Sequence, residues 1–322
     1  MPIQEIIYTS DVLAKQHIKL AEKIQADPGI QWGIPAIDRV VIPMRGGDIG
    51  VILGRPSDGK SSVLCYHAAH QAGLIERAGL QNEQTVVYVT WEGTVDTIYA
   101  AIIAGRSEYS KTDYLWGRVS IDRITAAALH RGVIPITFIG FSTLRKTGYK
   151  SITLDMILEA IEAINEGSGT PKRKVRAIYC DYLQLIPMPG STGRTESTSD
   201  AVIAMKQLGM RLDIPVLTAA QARREVDSYI VKLASAGDGQ WSSQIEQHVD
   251  YGFSVWRPIR TEPYDERTPQ QLNVWGRRIE LTPNLLIMKN WKQRNDQTGM
   301  WWPLYFRPEI IRLAELELEQ GD

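Results

Sequence analysis

Residues 49–62 read IGVILGRPSDGKSS. An apolar run (Ile49, Val51, Ile52, Leu53) stops at Gly54, crosses Arg55, Pro56, Ser57 and Asp58, and reaches Gly59, Lys60, Ser61 and Ser62. The pattern is G-x-x-x-x-G-K-S, set between a strand and a helix predicted over about 60–72, which is the context its mechanism demands. Glycines let the backbone curl until consecutive N–H groups face one point, and the helix N-terminus behind them favours negative charge. Lys60 adds a cation for the outer phosphates, and the Ser61 hydroxyl can ligate Mg²⁺. Gly54 to Ser62 are therefore the candidate nucleoside-triphosphate cradle. Asp58 is the odd member, because a carboxylate beside phosphates repels them unless it points to solvent. On that reading, Gly or Ala at 58 leaves nucleotide binding intact or improved.

The rest of the chain supplies strands that can stack beside this unit. Gln84 to Trp91 forms a β-rich run closing on Glu92, and Val175 onward forms another ending in Asp181. Pro215 to Ala220 ends at Gln221. Polar residues at the C-terminal tips of buried strands lie where open α/β sheets place their ligands. A hydrophobic strand ending in Asp, downstream of a phosphate loop, matches the pattern that holds Mg²⁺ and its water shell. Further strands are predicted at 251–256, 285–291 and 300–306, the last taken as the final one. Strands alternating with helices give an α/β fold, a doubly wound and mostly parallel sheet with late antiparallel strands.

Outside the sheet, residues 9–26 form an amphipathic helix with Leu13, Ala14, Ile18, Ala21 and Ile24 at helical spacing. It can pack on its own domain or on a neighbouring subunit. Residues 187–199 and 222–243 read as loops, with a helix over 200–212 between them. The stretch 257–283, with its arginines and prolines, matches no motif. The tail from Pro308 is acidic and expected to be helical. Three segments follow: an N-terminal linker-type helix over 1–29, a nucleotide-binding domain over 30–306, and the tail over 307–322.

Composition narrows the function further. The formal net charge of −1 advertises no overall basic field, so polyanion binding must come from local loops. Two cysteines, Cys65 and Cys180, both in apolar stretches, suit a reducing compartment better than a disulfide framework. No stretch has the roughly 20 uncharged apolar residues of a membrane span, and the N-terminus lacks a signal-peptide pattern. The cytoplasm is the expected location, with no membrane partner. His67, His70 and His248 show no metal-ligand spacing and read as structural. Trp301 and Trp302 read as core or interface packing.

Six ordered segments together resemble the RecA-like ATPase domain of the DnaB replicative-helicase family. They are GRPSDGKSS at 54–62, the strand closing on Glu92, CDYLQLI at 180–186, PVLTAAQ ending at Gln221, SSQIEQHVD at 242–250, and Lys292-Gln293-Arg294-Asn295 with Thr298-Gly299. The resemblance implies ATP and Mg²⁺ as cofactors. Lys60 and Ser61 would bind the phosphates and the metal, and Asp181 would be the second metal-side group. Glu92 would be the general base, and Gln221 the sensor of the γ-phosphate. Lys292 and Arg294 match the family's finger residues, which reach into the neighbouring subunit's site and neutralise charge on the transferring phosphoryl group. A homo-hexamer or other ring oligomer on single-stranded DNA is then implied. Arg194, Arg223, Arg224 and Lys232 would face the strand from the two loops, although a solvated loop explains Arg223 and Arg224 as well. A loader, or a replication or mobile-element partner, would complete the system. About 30 residues ahead of the domain leave room for the linker helix and not for the helical domain through which the family's replicative members contact primase. The expected function is a DnaB-type, ATP-dependent single-stranded DNA translocase or helicase. The alternative is a DnaB- or KaiC-like ATPase switch that controls assembly or recruitment without unwinding. A RecA-type recombination mediator fits less well, given DYLQL and the Lys-x-Arg pair.

Overall fold

The structure, a computed structural model, describes residues 9–107, 109–129, 134–140, 151–188, 190, 193–239, 244–259, 271–274, 277–294 and 297–316. Its frame is a nine-stranded sheet. The strands are β1 (Ile49–Gly54), β2 (Gln84–Thr90), β3 (Ile136–Gly140), β4 (Lys174–Asp181), β5 (Val216–Gln221), β6 (Tyr251–Trp256), β9 (Leu285–Gln293), β10 (Trp301–Arg307) and β11 (Arg312–Glu315). A separate antiparallel hairpin pairs β7 (Gln271–Val274) with β8 (Arg277–Glu280). The sheet runs β11-β10-β9-β6-β1-β5-β4-β2-β3, so β1 lies near the middle. Strands β6, β1, β5, β4, β2 and β3 are mutually parallel, and β9, β10 and β11 close one edge antiparallel. The long helices around it are α1 (Ser10–Ala26), α2 (Lys60–Arg77), α3 (Val95–Ser107), α4 (Leu154–Glu166) and α5 (Arg194–Leu212).

The central strands are covered on both faces, which is why they read as unbroken apolar runs rather than alternating ones. The period-2 pleat sends their side chains to opposite cores. Ile52, Tyr88, Tyr179 and Leu217 enter one core beneath α2 and α3. Val51, Leu53, Val87, Val89, Ile178 and Cys180 enter the other. There they meet Ile157 and Ile161 of α4, and Val202 and Met205 of α5. Helix α4 starts where the Thr153 hydroxyl accepts the Met156 N–H at 3.3 Å. Trp302 is buried and donates its indole N–H to the Ala36 carbonyl at 3.0 Å, so it is core, as expected.

Helix α1 touches the body through Lys23, paired with Asp213 at 2.8 Å, and through Asp27, which follows the helix and pairs with Arg176. Val12, Leu13, Ile18 and Leu20 stay exposed. No described helix is long and apolar enough to cross a membrane.

Two expectations need correction, and two segments gain detail. The helix expected at 200–212 begins at Arg194, because Thr198 is buried and extends the packed face toward the N-terminus. The acidic tail is not helical over 312–315. It forms β11, with Leu313 buried and paired to Phe306, and 317–322 lie outside the described residues. The unmatched stretch 257–283 contributes the β7–β8 hairpin, seated on its own cluster of Leu272, Val274, Ile279, Leu285, Trp256 and Leu233. Finally, 222–239 is a loop, as expected, and it is closed on itself. Residues Arg224–Ser228 and Ala236–Asp238 form 3₁₀ turns, Ala222 bridges Gly239, and Val226, Leu233 and Ala234 are buried. The remainder of that expected loop, 240–243, lies outside the described residues.

Candidate nucleotide site and subunit-edge residues

At the C-terminal end of β1 the chain passes through Gly54, where a Cβ would fall 2.9 Å from the Val255 carbonyl oxygen. Gly59 takes φ +93°, a left-handed conformation that glycine adopts without strain, and caps the start of α2. Between these two points Ser57 also sits at positive φ, 67°. The loop is pinned from inside. The Lys60 ammonium donates to the Arg55 carbonyl at 2.9 Å, and the Asp58 carboxylate accepts the Arg55 N–H at 2.9 Å and faces the Arg257 N–H at 3.5 Å. Asp58 is wholly buried. The expectation that it points to solvent is therefore wrong: its carboxylate turns inward and holds the loop's own backbone.

The other candidates arrive from the neighbouring strands. Thr90 of β2 lies in register with Asp181 of β4, and the Trp91 N–H donates to the Asp181 carbonyl at 3.0 Å. Glu92 consequently emerges beside Asp181. The Thr90 hydroxyl holds the turn by accepting the Gly93 N–H at 3.1 Å. Asp181 Oδ1 accepts the Ser61 hydroxyl at 3.1 Å, and Oδ2 accepts the Tyr88 hydroxyl at 3.3 Å. Gln221 ends β5 next to β1. Its backbone is fixed by the Gln184 side chain, which accepts the Gln221 N–H at 3.2 Å and donates to its carbonyl at 3.3 Å. A cavity of about 570 Å³ results, lined by the phosphate loop with Glu92, Asp181, Gln221 and Arg257 among others.

Burial dominates the electrostatics. It pushes the Lys60 ammonium below the usual lysine range, against the pull of Asp58, Asp181 and Glu92. Burial also raises the Asp181 carboxyl. The Ser61 hydrogen bond opposes that rise, the Glu92 charge adds to it, and Tyr88 and Lys60 again oppose it. A desolvated carboxylate beside a hydroxyl is a donor set of hard oxygens that suits Mg²⁺, and a divalent cation would offset the mutual repulsion of Asp181 and Glu92. His67 is buried with its Nδ1 2.8 Å from the Tyr179 hydroxyl and its pKa held down to about 3, a packed neutral ring. Among the described residues no three His, Cys, Asp or Glu cluster as metal ligands.

Lys292 and Arg294 do not join this cavity. On β9, Lys292 pairs with Gly252 and Gln293 with Tyr251, at the end of β6 that meets the start of β1. The Arg294 N–H donates to the Asp250 carbonyl, and the Asp250 N–H to the carbonyl of Ile49, which opens β1. From that level to Gly54 the strand climbs about 16 Å at ~3.3 Å per residue. Lys292 donates to the Glu246 carbonyl. The Arg294 guanidinium donates to Asp250 Oδ1 at 2.9 Å with its side chain 66% exposed. Asp250 is buried, and also accepts from Lys206 and from the Ile49 N–H at 3.0 Å. The DNA candidates lie at the same sheet end as the cavity. Arg223 and Arg224 are exposed just past Gln221, Lys232 is half-buried in the same loop, and Arg194 is the first residue of α5.

Three residues around the site escaped the sequence. Arg257 lines the cavity and stacks its guanidinium 5.2 Å above the Phe306 ring. Tyr88 holds Asp181, and Gln184 holds Gln221. Each works only because β6, β4 and β5 are placed around β1 and β2, and no local motif announces that placement.

A phosphate loop at the C-terminal tip of a central parallel strand, with an acidic residue at the tip of a neighbouring strand, defines a P-loop nucleotide-binding protein of the RecA-like type. The family described as DnaB-like helicase C terminal domain matches residues 29–315, and the chain belongs to that family. It is 23% identical over 304 residues to the replicative DNA helicase DnaB of Rickettsia conorii, covering 90% of this chain and 58% of that protein. It is 27% identical over 237 residues to a probable plasmid replicative DNA helicase of Chlamydia psittaci, covering 71% of this chain and 46% of that one. The chain thus spans under three fifths of the length of these curated relatives. Among solved structures it resembles one described as an ATPase domain, with TM-score 0.73, 19% identity, and coverage of 95% and 99% of the two chains. It also resembles a DnaB-like replicative helicase studied for its interactions with primase, with TM-score 0.72, 18% identity, and coverage of 94% and 66%.

Proposed function

We propose that the protein is an ATP-driven single-stranded DNA translocase or helicase that works as a ring, with each ATP split between two subunits. The observation that carries this reading is the division of the site. Lys60, Ser61, Asp181, Glu92 and Gln221 converge on one cavity, while Lys292 and Arg294 stand at the far end of the strands, and the guanidinium of Arg294 is largely in solvent. A cation so placed cannot serve its own nucleotide, but it can serve the next subunit's in a head-to-tail ring.

In this reading Lys60 and the loop amides hold the β- and γ-phosphates, and Glu92 orients and deprotonates the attacking water. Mg²⁺, held by Ser61 and Asp181, would neutralise charge on the β- and γ-phosphoryl oxygens. Gln221 contacts the γ-phosphate at the base of the 222–239 loop. The neighbour's Arg294, assisted by Lys292, stabilises charge that develops during transfer. Arg194, Arg223, Arg224 and Lys232 hold the DNA backbone, so binding weakens steeply with salt. The exposed apolar residues of α1 suit a further contact between subunits.

Strand displacement on a forked DNA, run beside ATP hydrolysis, tests the proposal with Glu92→Gln as control. Both activities are expected in the wild type, and both should fall by about 10²-fold or more in the variant. Hydrolysis without displacement in the wild type would favour the ATPase switch, and displacement that persists in Glu92→Gln would remove the base.

A further inference from the structure

Arg55 belongs to two structures at once. Its peptide is part of the phosphate loop, with its N–H held by Asp58 and its carbonyl by the Lys60 ammonium, each at 2.9 Å. Its side chain leaves the cavity, runs under the end of β5, and is only 10% exposed. There Nη1 donates to the Ala222 carbonyl at 2.8 Å, Nε donates to both carboxylate oxygens of Asp227 at 3.0 Å, and Nη2 lies 2.9 Å from Asp227 Oδ2. Asp227 sits in the first turn of the 222–239 loop.

That loop is closed on itself, with Val226 and Ala234 packed into the core. The Arg223 N–H donates to the Asp238 carbonyl at 2.8 Å, Arg223 Nε to the Gly239 carbonyl at 3.2 Å, and the Tyr229 hydroxyl to Asp238 Oδ1 at 2.9 Å. The strand end beside it is held fast by Gln184 gripping the Gln221 backbone from both sides. The Arg55–Asp227 ion pair ties cradle to loop, beside the Ala222 N–H donated to the Gly54 carbonyl at 3.1 Å.

We propose that Arg55 and Asp227 are the joint through which the state of the nucleotide sets the posture of the 222–239 loop, and with it the grip on DNA. The trigger is at hand. An incoming γ-phosphate competes for the Lys60 ammonium, which now rests on the Arg55 carbonyl, so filling the cradle removes one of the bonds on the peptide that carries the joint and leaves that carbonyl on the Asp58 N–H at 3.2 Å. A bidentate, charge-assisted pair is stiff enough to pass that change on. Asp227 is 48% exposed while the guanidinium is buried, and Asp227→Asn leaves that guanidinium a side-chain oxygen and the Ala222 carbonyl as acceptors. The inference rests on the reading of 222–239 as a DNA-contacting loop.

The test uses the full chain and a fluorescent oligo-dT. Affinity is measured once with a non-hydrolysable ATP analogue and once with ADP, in the wild type, Asp227→Asn and Asp227→Glu. The wild-type ratio of the two affinities is expected to be about tenfold, within the usual range of coupling between sites. In Asp227→Asn it should collapse to near one, while DNA-free ATP hydrolysis holds. Asp227→Glu should restore most of the ratio. A full ratio in Asp227→Asn overturns the joint, as does a loss of DNA-free hydrolysis in parallel with the ratio, which would mark a merely structural contact. A wild type that binds the oligonucleotide with neither nucleotide overturns the DNA reading itself, and the joint with it.

Discussion

Asp58 and Asp181 are two buried carboxylates a few residues from where phosphates would lie, and they do opposite work. Asp58 accepts the Arg55 N–H inside the loop, so its negative charge is spent on backbone rather than aimed at the ligand. Removing an acceptor from a buried N–H costs about 1–3 kcal/mol, and here the loss falls on the loop that must be preorganised. Asp58→Ala is therefore expected to weaken nucleotide binding about tenfold, read by titration with a fluorescent ATP analogue. Asp58→Asn, which keeps one acceptor, should lose less, and unchanged affinity in the alanine variant would refute the staple. Asp181 has its carboxyl raised chiefly by burial. The folded protein then keeps this proton at pH values where the unfolded chain has lost it. Stability consequently falls as pH climbs from about 3.9, the ordinary aspartate value, through the raised one. Asp181→Asn cannot ionise and escapes that loss. Without nucleotide it should melt above the wild type at pH 7, with the gap closing near pH 4, while Mg²⁺-dependent hydrolysis disappears. Calorimetry at the two pH values checks it, and a variant that melts lower at pH 7 would contradict the raised carboxyl.

At the scale of elements, what could be read from the sequence was what is written locally. β1 and α2 follow from the glycine-lysine-serine loop. The tips of β2, β4 and β5 follow from largely apolar runs that end in Glu92, Asp181 and Gln221, because strands buried on both faces place their charged and amide residues where they emerge. The misreadings have physical causes of the same kind. Arg312-Leu313-Ala314-Glu315 is composed of good helix formers, yet pairing with β10 and burial of Leu313 decide the matter, and propensity loses to tertiary contact. The segment Thr195 to Ser199 is rich in Thr and Ser, poor helix formers, yet it is helical in a helix carried by its buried face. Gln271-Leu272-Asn273-Val274 does alternate, with Leu272 and Val274 buried, but four residues amid arginines and prolines are a faint period. Arg257 was hidden by topology. It joins the nucleotide cavity because β6 lies beside β1, and that neighbourhood is a long-range fact about the sheet.

For the whole molecule the question is whether one copy can finish the proposed reaction. The cradle and the Arg294 guanidinium occupy opposite ends of the same strands, so no rotamer of one long side chain spans the gap within a subunit. In the proposed head-to-tail ring each copy would present its Arg294 end to the next copy's cradle. Arg294 rests on Asp250 in the single chain, and Asp250 keeps Lys206 as a partner when the guanidinium leaves, so release does not strand a buried charge. Two inactive variants should consequently rescue each other. Arg294→Ala has a whole cradle and no finger; Lys60→Ala has a ruined cradle and a good finger. Mixed in equal amounts and assembled at random, about one interface in four pairs a good cradle with a good finger, and hydrolysis should recover toward about a quarter of the wild-type rate per subunit. Hydrolysis measured across mixing ratios should peak near equality and vanish at both ends. A flat, inactive series from subunits shown by mass measurement to have mixed would mean that each copy works alone, and the ring would lose its chemical purpose.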